Sequence, residues 1–455
     1  MNTSLRRIFG NAGWFLGSKG VAALLSLFYL ALATRVLGIE GFGHFALVLG
    51  IGQAVSGLVT FQTWQLIVRF GFPRLDEGET RKRNRIIIFA TMLDASSAVA
   101  GSVLAAIAIV LLAPRFGWSS QVMWQAALFC IAMLLSLRST PIGILRLHDR
   151  FALAAAADTV TPIVRLIGAG IAAIFWPGIS GFLAAWACAE VMTALAFWIA
   201  ALRHEKLVYR RGDLRRVFDE NPGLWRFAWL TNAASSLNLS AKQVTLLLVG
   251  SFGGAAASGA YRVATQLSQG LSKFTLALSR SVYPEFVRVS IEGSPRQLRR
   301  LIRRMTMITT AGGIFVLLLT TLAGKQLLEL VAGPAFATAY MPMLLLGAAA
   351  TFDLGGASFE PALTAQGRPG LALMLRSIAI AAQFALMLWL LPSLGSVGAG
   401  WATLAGSLIA FVLAGHAVRK SIRSKRTHCP SPVQMRSTQA GSEIVIKPTP
   451  KPMKG

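Results

Sequence analysis

Four polar residues in one apolar segment carry the strongest chemical signal in the chain. Arg262, Gln269, Lys273 and Arg280 are separated by seven, four and seven residues. At about 100° per residue they fall within roughly 40° of one another on a helix, with Gln266 beside them. From Arg262 to Arg280 the helix rises about 27 Å, close to the hydrocarbon thickness of a bilayer. A charge at the bilayer centre costs about 2.5–3.5 kcal/mol, and snorkelling cannot bring the middle of the stripe to water. The stripe must face a water-filled cavity or acidic partners.

Two further stripes share this spacing: Thr231, Ser235, Asn238 and Lys242 in one segment, Gln53, Ser56, Thr60 and Thr63 in another. The Ser and Thr positions suit helix packing equally well, whereas Lys242 belongs with the cavity. Lys19 is a further embedded cation. Arg69 and Arg226 sit at span ends and can snorkel. The embedded acids are Asp94, Asp158, Glu190, Asp353 and Glu360. Asp158 and Arg165 share one helix face, so a structural ion-pair network is expected there, with ion coupling through Asp158, Glu190 or Asp353 as the alternative role. The five histidines are scattered without ligand spacing, and Cys130, Cys188 and Cys429 form neither a metal pattern nor a disulfide framework. No metal or cofactor is expected.

The elements that must position these groups are membrane spans. Hydrophobic residues make up 55% of the chain and charged residues 14%, with mean hydropathy +0.60; soluble domains carry nearer a quarter charged residues. An all-α polytopic membrane protein of about twelve helices follows. The spans fall near 10–34, 42–69, 86–112, 122–144, 151–175 and 179–202, then 226–250, 256–287, 305–323, 338–362, 370–391 and 397–418. Arg6 and Arg7 precede a full-length first span, which reads as retained rather than cleaved.

The net charge of +26 invites a nucleic-acid partner, but its distribution argues otherwise. With both termini inside, the cytoplasmic segments hold 31 of the 44 Lys and Arg, and the external loops only Arg35, Arg115 and Lys325. That asymmetry is the positive-inside pattern. Residues 203–225 mix basic and apolar side chains and read as a cytoplasmic linker, and 419–455 as a disordered basic tail able to touch anionic lipid headgroups.

Sliding the sequence on itself by 216 residues places Gly38 on Gly254, Gly43 on Gly259, Phe45 on Tyr261 and Gln53 on Gln269. A slide of 218 places Arg150 on Arg368. The chain therefore reads as two six-span lobes, 1–202 and 226–418, in the same orientation. Transport sites form between such halves.

The run Arg35-Val36-Leu37-Gly38-Ile39-Glu40-Gly41-Phe42-Gly43 resembles a hallmark of bacterial polysaccharide flippases, the Wzx-type members of the multidrug/oligosaccharidyl-lipid/polysaccharide exporter superfamily. Leu145 to Phe151 is similar to that family's link between spans four and five. Ala365-Gln366-Gly367-Arg368-Pro369 resembles its counterpart in the second half, and Gly395 to Gly400 the loop before the last span. The resemblance implies two six-helix lobes around a central cavity lined by spans one, two, seven and eight, in a bacterial inner membrane. It also implies an oligosaccharide carried on a polyprenyl pyrophosphate, whose anionic head suits a lumen lined by Lys19, Lys242, Arg262, Gln269, Lys273 and Arg280. Arg can grip phosphate oxygens bidentately and Lys supplies a point charge. Membrane lipids, and other polysaccharide assembly proteins, are the remaining partners implied. A multidrug exporter of the same fold, or a membrane glycan polymerase or ligase, is the alternative. Cationic drugs would be repelled by such a lumen, and an enzyme would need a sizeable external loop with catalytic residues, which the chain lacks.

Overall fold

In the computed structural model the described residues are 3–76, 79–208, 213–280, 295–365 and 369–427, with the side chains of 3–23, 237–241, 270–280 and 295–299 among those left undescribed. The helices are α1 (Thr3–Val59), α2 (Thr63–Gly71), α3 (Pro73–Asp76), α4 (Thr80–Phe116), α5 (Ser120–Leu135), α6 (Ser139–Leu147), α7 (Phe151–Phe175) and α8 (Ile179–Leu202). They continue as α9 (Asp213–Glu220), α10 (Leu224–Arg280), α11 (Pro295–Ala332), α12 (Tyr340–Gly355), α13 (Phe359–Ala365) and α14 (Pro369–Thr427). No strand occurs among the described residues.

Nine described helical stretches are long and apolar enough to cross a membrane. Three of them contain a glycine at positive φ that turns one helix into two passes: Gly38 (φ 67°), Gly254 (φ 74°) and Gly395 (φ 53°). The sum is twelve passes. A side chain would disfavour this left-handed backbone, so glycine marks the reversal. Gly38 and Gly254 are related by the 216-residue repeat, and their ψ values, −177° and −172°, agree as closely as their φ values. Toward the outside, large apolar side chains such as Leu111, Phe175, Leu322 and Trp389 are 70–79% exposed. Only hydrocarbon accepts such a surface without penalty.

Spans two, four and ten are interrupted where the sequence predicts continuous helices. The breaks fall at residues 60–62, 136–138 and 356–358. Proline explains the last two. Pro141 and Pro361 are each the third residue of the resumed helix, where the missing N–H costs nothing and the ring would clash with an unbroken preceding turn. The breaks in spans two and four lie side by side, tied by the buried Asp94 of α4. Its carboxylate accepts from Thr63 Oγ1 at 2.9 Å, from Thr140 Oγ1 at 2.7 Å and from the Thr140 N–H at 3.0 Å. Asp94 therefore caps the start of α6 from another helix and holds the start of α2 beside it.

One core cluster joins the two halves across α1 and α10, with Phe45, Leu47 and Ile51 packed among Leu246, Val249, Val263 and Leu267. A second lies around α9, at the span ends away from Gly38 and Gly254. There Ile86, Leu145 and Phe197 of the first half enclose Val217 of α9 and Leu224 and Ala228 of α10. Phe61–Trp229 and Phe70–Phe227 ring contacts, 5.3 and 5.8 Å between centroids, bind the same stretch of α10 to the first half.

Candidate functional site

Near the reversals at Gly38 and Gly254 the two halves meet almost backbone to backbone. A Cβ added to Gly43 would overlap the Ala255 carbonyl, and one added to Gly259 would lie 2.5 Å from the Ile39 carbonyl oxygen. The Arg35 guanidinium donates to the Leu330 carbonyl at 2.5 Å, and Phe42 meets Phe336 at 6.0 Å between rings. Small residues allow this approach and leave no passage between the lobes there.

Beneath this seal lies a cavity of about 480 Å³, walled by both passes of α1, by α7 and α8, and by both passes of α10. Its surface is largely apolar, with Leu27, Leu30, Phe42, Leu49 and Leu267 among the lining side chains. Arg262 and Arg165 enter it from opposite halves. Arg262 donates from one terminal nitrogen to Gln243 Oε1 and from the other to Gln53 Oε1, both at 3.3 Å. Its bonds are therefore to neutral amides, one of them across the lobe boundary. None of the described acids forms an ion pair with it.

Arg165 is held differently. Its guanidinium donates to Glu190 Oε1 at 2.5 Å, while Arg138 engages the other oxygen of the same carboxylate. It also lies over the rings of Trp186 and Tyr29, at 5.4 and 6.0 Å. Its buried Nε has no hydrogen-bond partner. Sequence spacing pairs Arg165 with Asp158 on its own helix; the structure pairs it with Glu190 on α8, and Asp158 lies within electrostatic reach of Arg138.

A second cavity, of about 320 Å³, lies within the C-terminal half. Lys242, Tyr261, Ser268, Asp353, Gln383 and Thr403 line it, and Thr265 and Gln269 are common to both cavities. Asp353 has Lys242, Arg376 and Ser407 as its electrostatic neighbours.

Of the residues singled out by sequence, Gln53, Arg262, Gln266 and Gln269 share the central cavity, and Lys242, Gln269 and Asp353 the second one. Lys242 and Arg262 thus face different chambers. The side chains of Lys19, Lys273 and Arg280 lie outside the described residues. Spacing along single helices did not pick out Arg165, Tyr29, Trp186 or Gln243 as cavity residues. The available signal for Arg165 was its position as a cation deep in a span.

Residues 8–290 match the model of the polysaccharide biosynthesis protein family. The chain belongs to that family. This member is 31% identical over 347 residues to the inner membrane protein YghQ of Escherichia coli strain K12, with 74% of the chain and 96% of YghQ covered. Its fold is similar to that of a multidrug resistance MATE family transporter of the MOP superfamily in an inward-facing conformation. The TM-score is 0.70 at 16% identity, covering 89% of this chain and 96% of that one. Similarity to the lipid II flippase MurJ in an inward closed conformation gives a TM-score of 0.68 at 13% identity, covering 90% and 88%. The polysaccharide biosynthesis protein described here is accordingly a multi-pass membrane protein that shares the fold of these transporters.

Proposed function

We propose that this protein is a flippase that moves an oligosaccharide linked to polyprenyl pyrophosphate from the cytoplasmic to the external leaflet, for surface polysaccharide synthesis. The observation that carries the reading is the pair Arg262 and Arg165, one from each half, facing one apolar-walled cavity. Guanidinium forks recognise phosphate oxygens, and an apolar wall tolerates the first prenyl units. The amides that hold Arg262 are weak competitors for it, so an arriving phosphate can take their place. Lys273 and Arg280, by their place on the Arg262 stripe, and Lys19, as an embedded cation of the first span, are assigned to the same cationic path, and lipid-headgroup contact is assigned to the basic tail. The lobes 1–202 and 226–418 rock about the cavity, with both termini cytoplasmic.

Glu190 is assigned a counter-ion role, since both of its oxygens already serve arginines. Ion coupling, if carried by one of the three embedded acids, falls to Asp158 or Asp353.

Deletion tests the reading. Lipid-linked oligosaccharide should accumulate on the cytoplasmic leaflet and one surface glycan should disappear, with sensitivity to cationic drugs unchanged. An intact glycan together with lost resistance to cationic drugs would make the protein a drug exporter instead.

A further inference from the structure

The two halves of the repeat have diverged at one place. In the N-terminal half Phe45 packs edge-on against Trp186, 5.1 Å between centroids, and Trp186 packs in turn on Tyr29 at the same distance. The repeat partner of Phe45 is Tyr261. Offsets of 216 to 220 carry Trp186 onto the stretch Ala402 to Gly406, which contains no aromatic residue. Thr403 stands in that stretch and lines the chamber of about 320 Å³, so a small hydroxyl side chain borders it where the first half presents an indole to the central cavity. Gly406 shapes the same wall. A Cβ there would lie 2.8 Å from the Gln383 Cβ, so its absence admits the Gln383 side chain at the chamber wall.

Among the described residues no arginine lines the chamber, whereas Arg165 and Arg262 line the central cavity. Tyr261, whose hydroxyl has Thr403 and Thr265 as side-chain partners, and Gln383, which donates to Thr403 Oγ1 at 3.4 Å, face it with Ser268 and Gln269. Hydroxyls and amides gathered at membrane depth are costly unless they line a polar cavity. Such groups, each both donor and acceptor, match a polyol better than an anion or a hydrocarbon. Thr265 and Gln269 form the common wall, so a ligand with a phosphate beside Arg262 has its next unit at the chamber entrance.

We propose that the C-terminal chamber is a saccharide subsite that holds a sugar adjacent to the pyrophosphate of the cargo, through the hydroxyl and amide groups of Tyr261, Gln269, Gln383 and Thr403. The proposal rests on the flippase reading. It divides the cargo between the halves: charge in the central cavity, sugar in the C-terminal one. Lys242 and Asp353 supply one charge of each sign at its edge and discriminate among charged sugars.

Binding to the purified full-length protein in detergent tests this, using geranylgeranyl diphosphate and the same lipid carrying one hexose. The wild type should prefer the hexosylated lipid by about tenfold, the scale of one or two buried hydrogen bonds. The Gln383→Leu/Thr403→Val variant should lose that preference and keep its affinity for the bare diphosphate. Arg262→Gln should weaken both lipids alike. A preference that survives in Gln383→Leu/Thr403→Val, or no preference in the wild type, overturns the saccharide subsite while leaving the flippase reading in place. Failure of the wild type to bind either lipid overturns the flippase reading, and the subsite with it. If the double variant misfolds, Thr403→Val alone supplies the same comparison.

Discussion

Gly43 and Gly259 make the same contact in exchanged roles. Each faces the carbonyl of the residue four positions before the other glycine, Ala255 for Gly43 and Ile39 for Gly259, and the repeat pairs these two residues with each other. The relation is that of a two-fold interface, made here between two halves of one chain. It fixes the seal at this end of the lobes, because both sides of the contact are backbone and neither can yield without moving a helix.

Gly43→Val should therefore open the seal. Overpacking costs about 1–3 kcal/mol, which shifts the closed-to-open ratio roughly five- to a hundredfold. With a single cysteine at Gln266 in a cysteine-free background, a membrane-impermeant maleimide added outside should label the variant more than the parent. Equal labelling would show that the glycine contact is not what closes this end.

Arg262→Gln removes the guanidinium while keeping approximate length and polarity. Glycan export per molecule of membrane-inserted protein should fall at least about tenfold, and Arg262→Lys should retain an intermediate rate, since charge survives without the fork. Because the present partners of Arg262 are amides, protein abundance should hardly change. Loss of abundance with normal specific export would assign Arg262 to the fold rather than to the cargo.

Glu190→Gln should behave in the opposite way. It leaves Arg138 and Arg165 without their shared carboxylate, and breaking such a buried pair costs about 3–5 kcal/mol. The thermal midpoint of the purified protein should drop markedly, and Glu190→Gln/Arg138→Gln should recover part of the loss. A double variant no better than the single one would deny the bridge.

Asp94→Ala deprives α6 of its cap and strands the hydroxyls of Thr63 and Thr140. A cost of about 2–4 kcal/mol is expected, visible as a lower thermal midpoint and faster proteolysis near residues 136–138. Asp94→Asn, which keeps one acceptor oxygen, should lose about half as much.

Orientation is tested by single cysteines. Glu40 and Gly178 should label from outside in intact cells, whereas Asp76, Gly212 and Ser294 should need permeabilised cells. External labelling at Gly212 would invert the topology.

The pattern of legibility follows from what a single helix can reveal. Gly38 and Gly254 were readable because the repeat aligned them, and their matching backbone angles agree with that alignment. Pro141 and Pro361 also marked the breaks in spans four and ten, but apolar length alone reads through them. The break at residues 60–62 has no proline, and the nearby tie runs through Asp94 and Ser139, on two other helices. Arg165 shows the same limit: helical spacing offers Asp158 seven residues away, while Glu190 comes within reach only after α7 and α8 pack together. Lys242 and Arg262 each looked cavity-facing, and nothing in their spacing says that span eight divides one chamber from another.

The seventh pass belongs to two bodies at once. Leu224 and Ala228 sit in the cluster around α9 with the first half, while Leu246 and Val249 join the core beneath the Gly43–Gly259 contact. About eighteen residues of one uninterrupted helix separate these anchorages, roughly 27 Å of it. A helix clamped at both ends acts as a leaf spring: it flexes or slips its grip, but does not swing freely. Any separation of the lobes at the α9 end must load that spring or peel Trp229 and Phe227 from Phe61 and Phe70, so the opening angle is limited by this strip of α10.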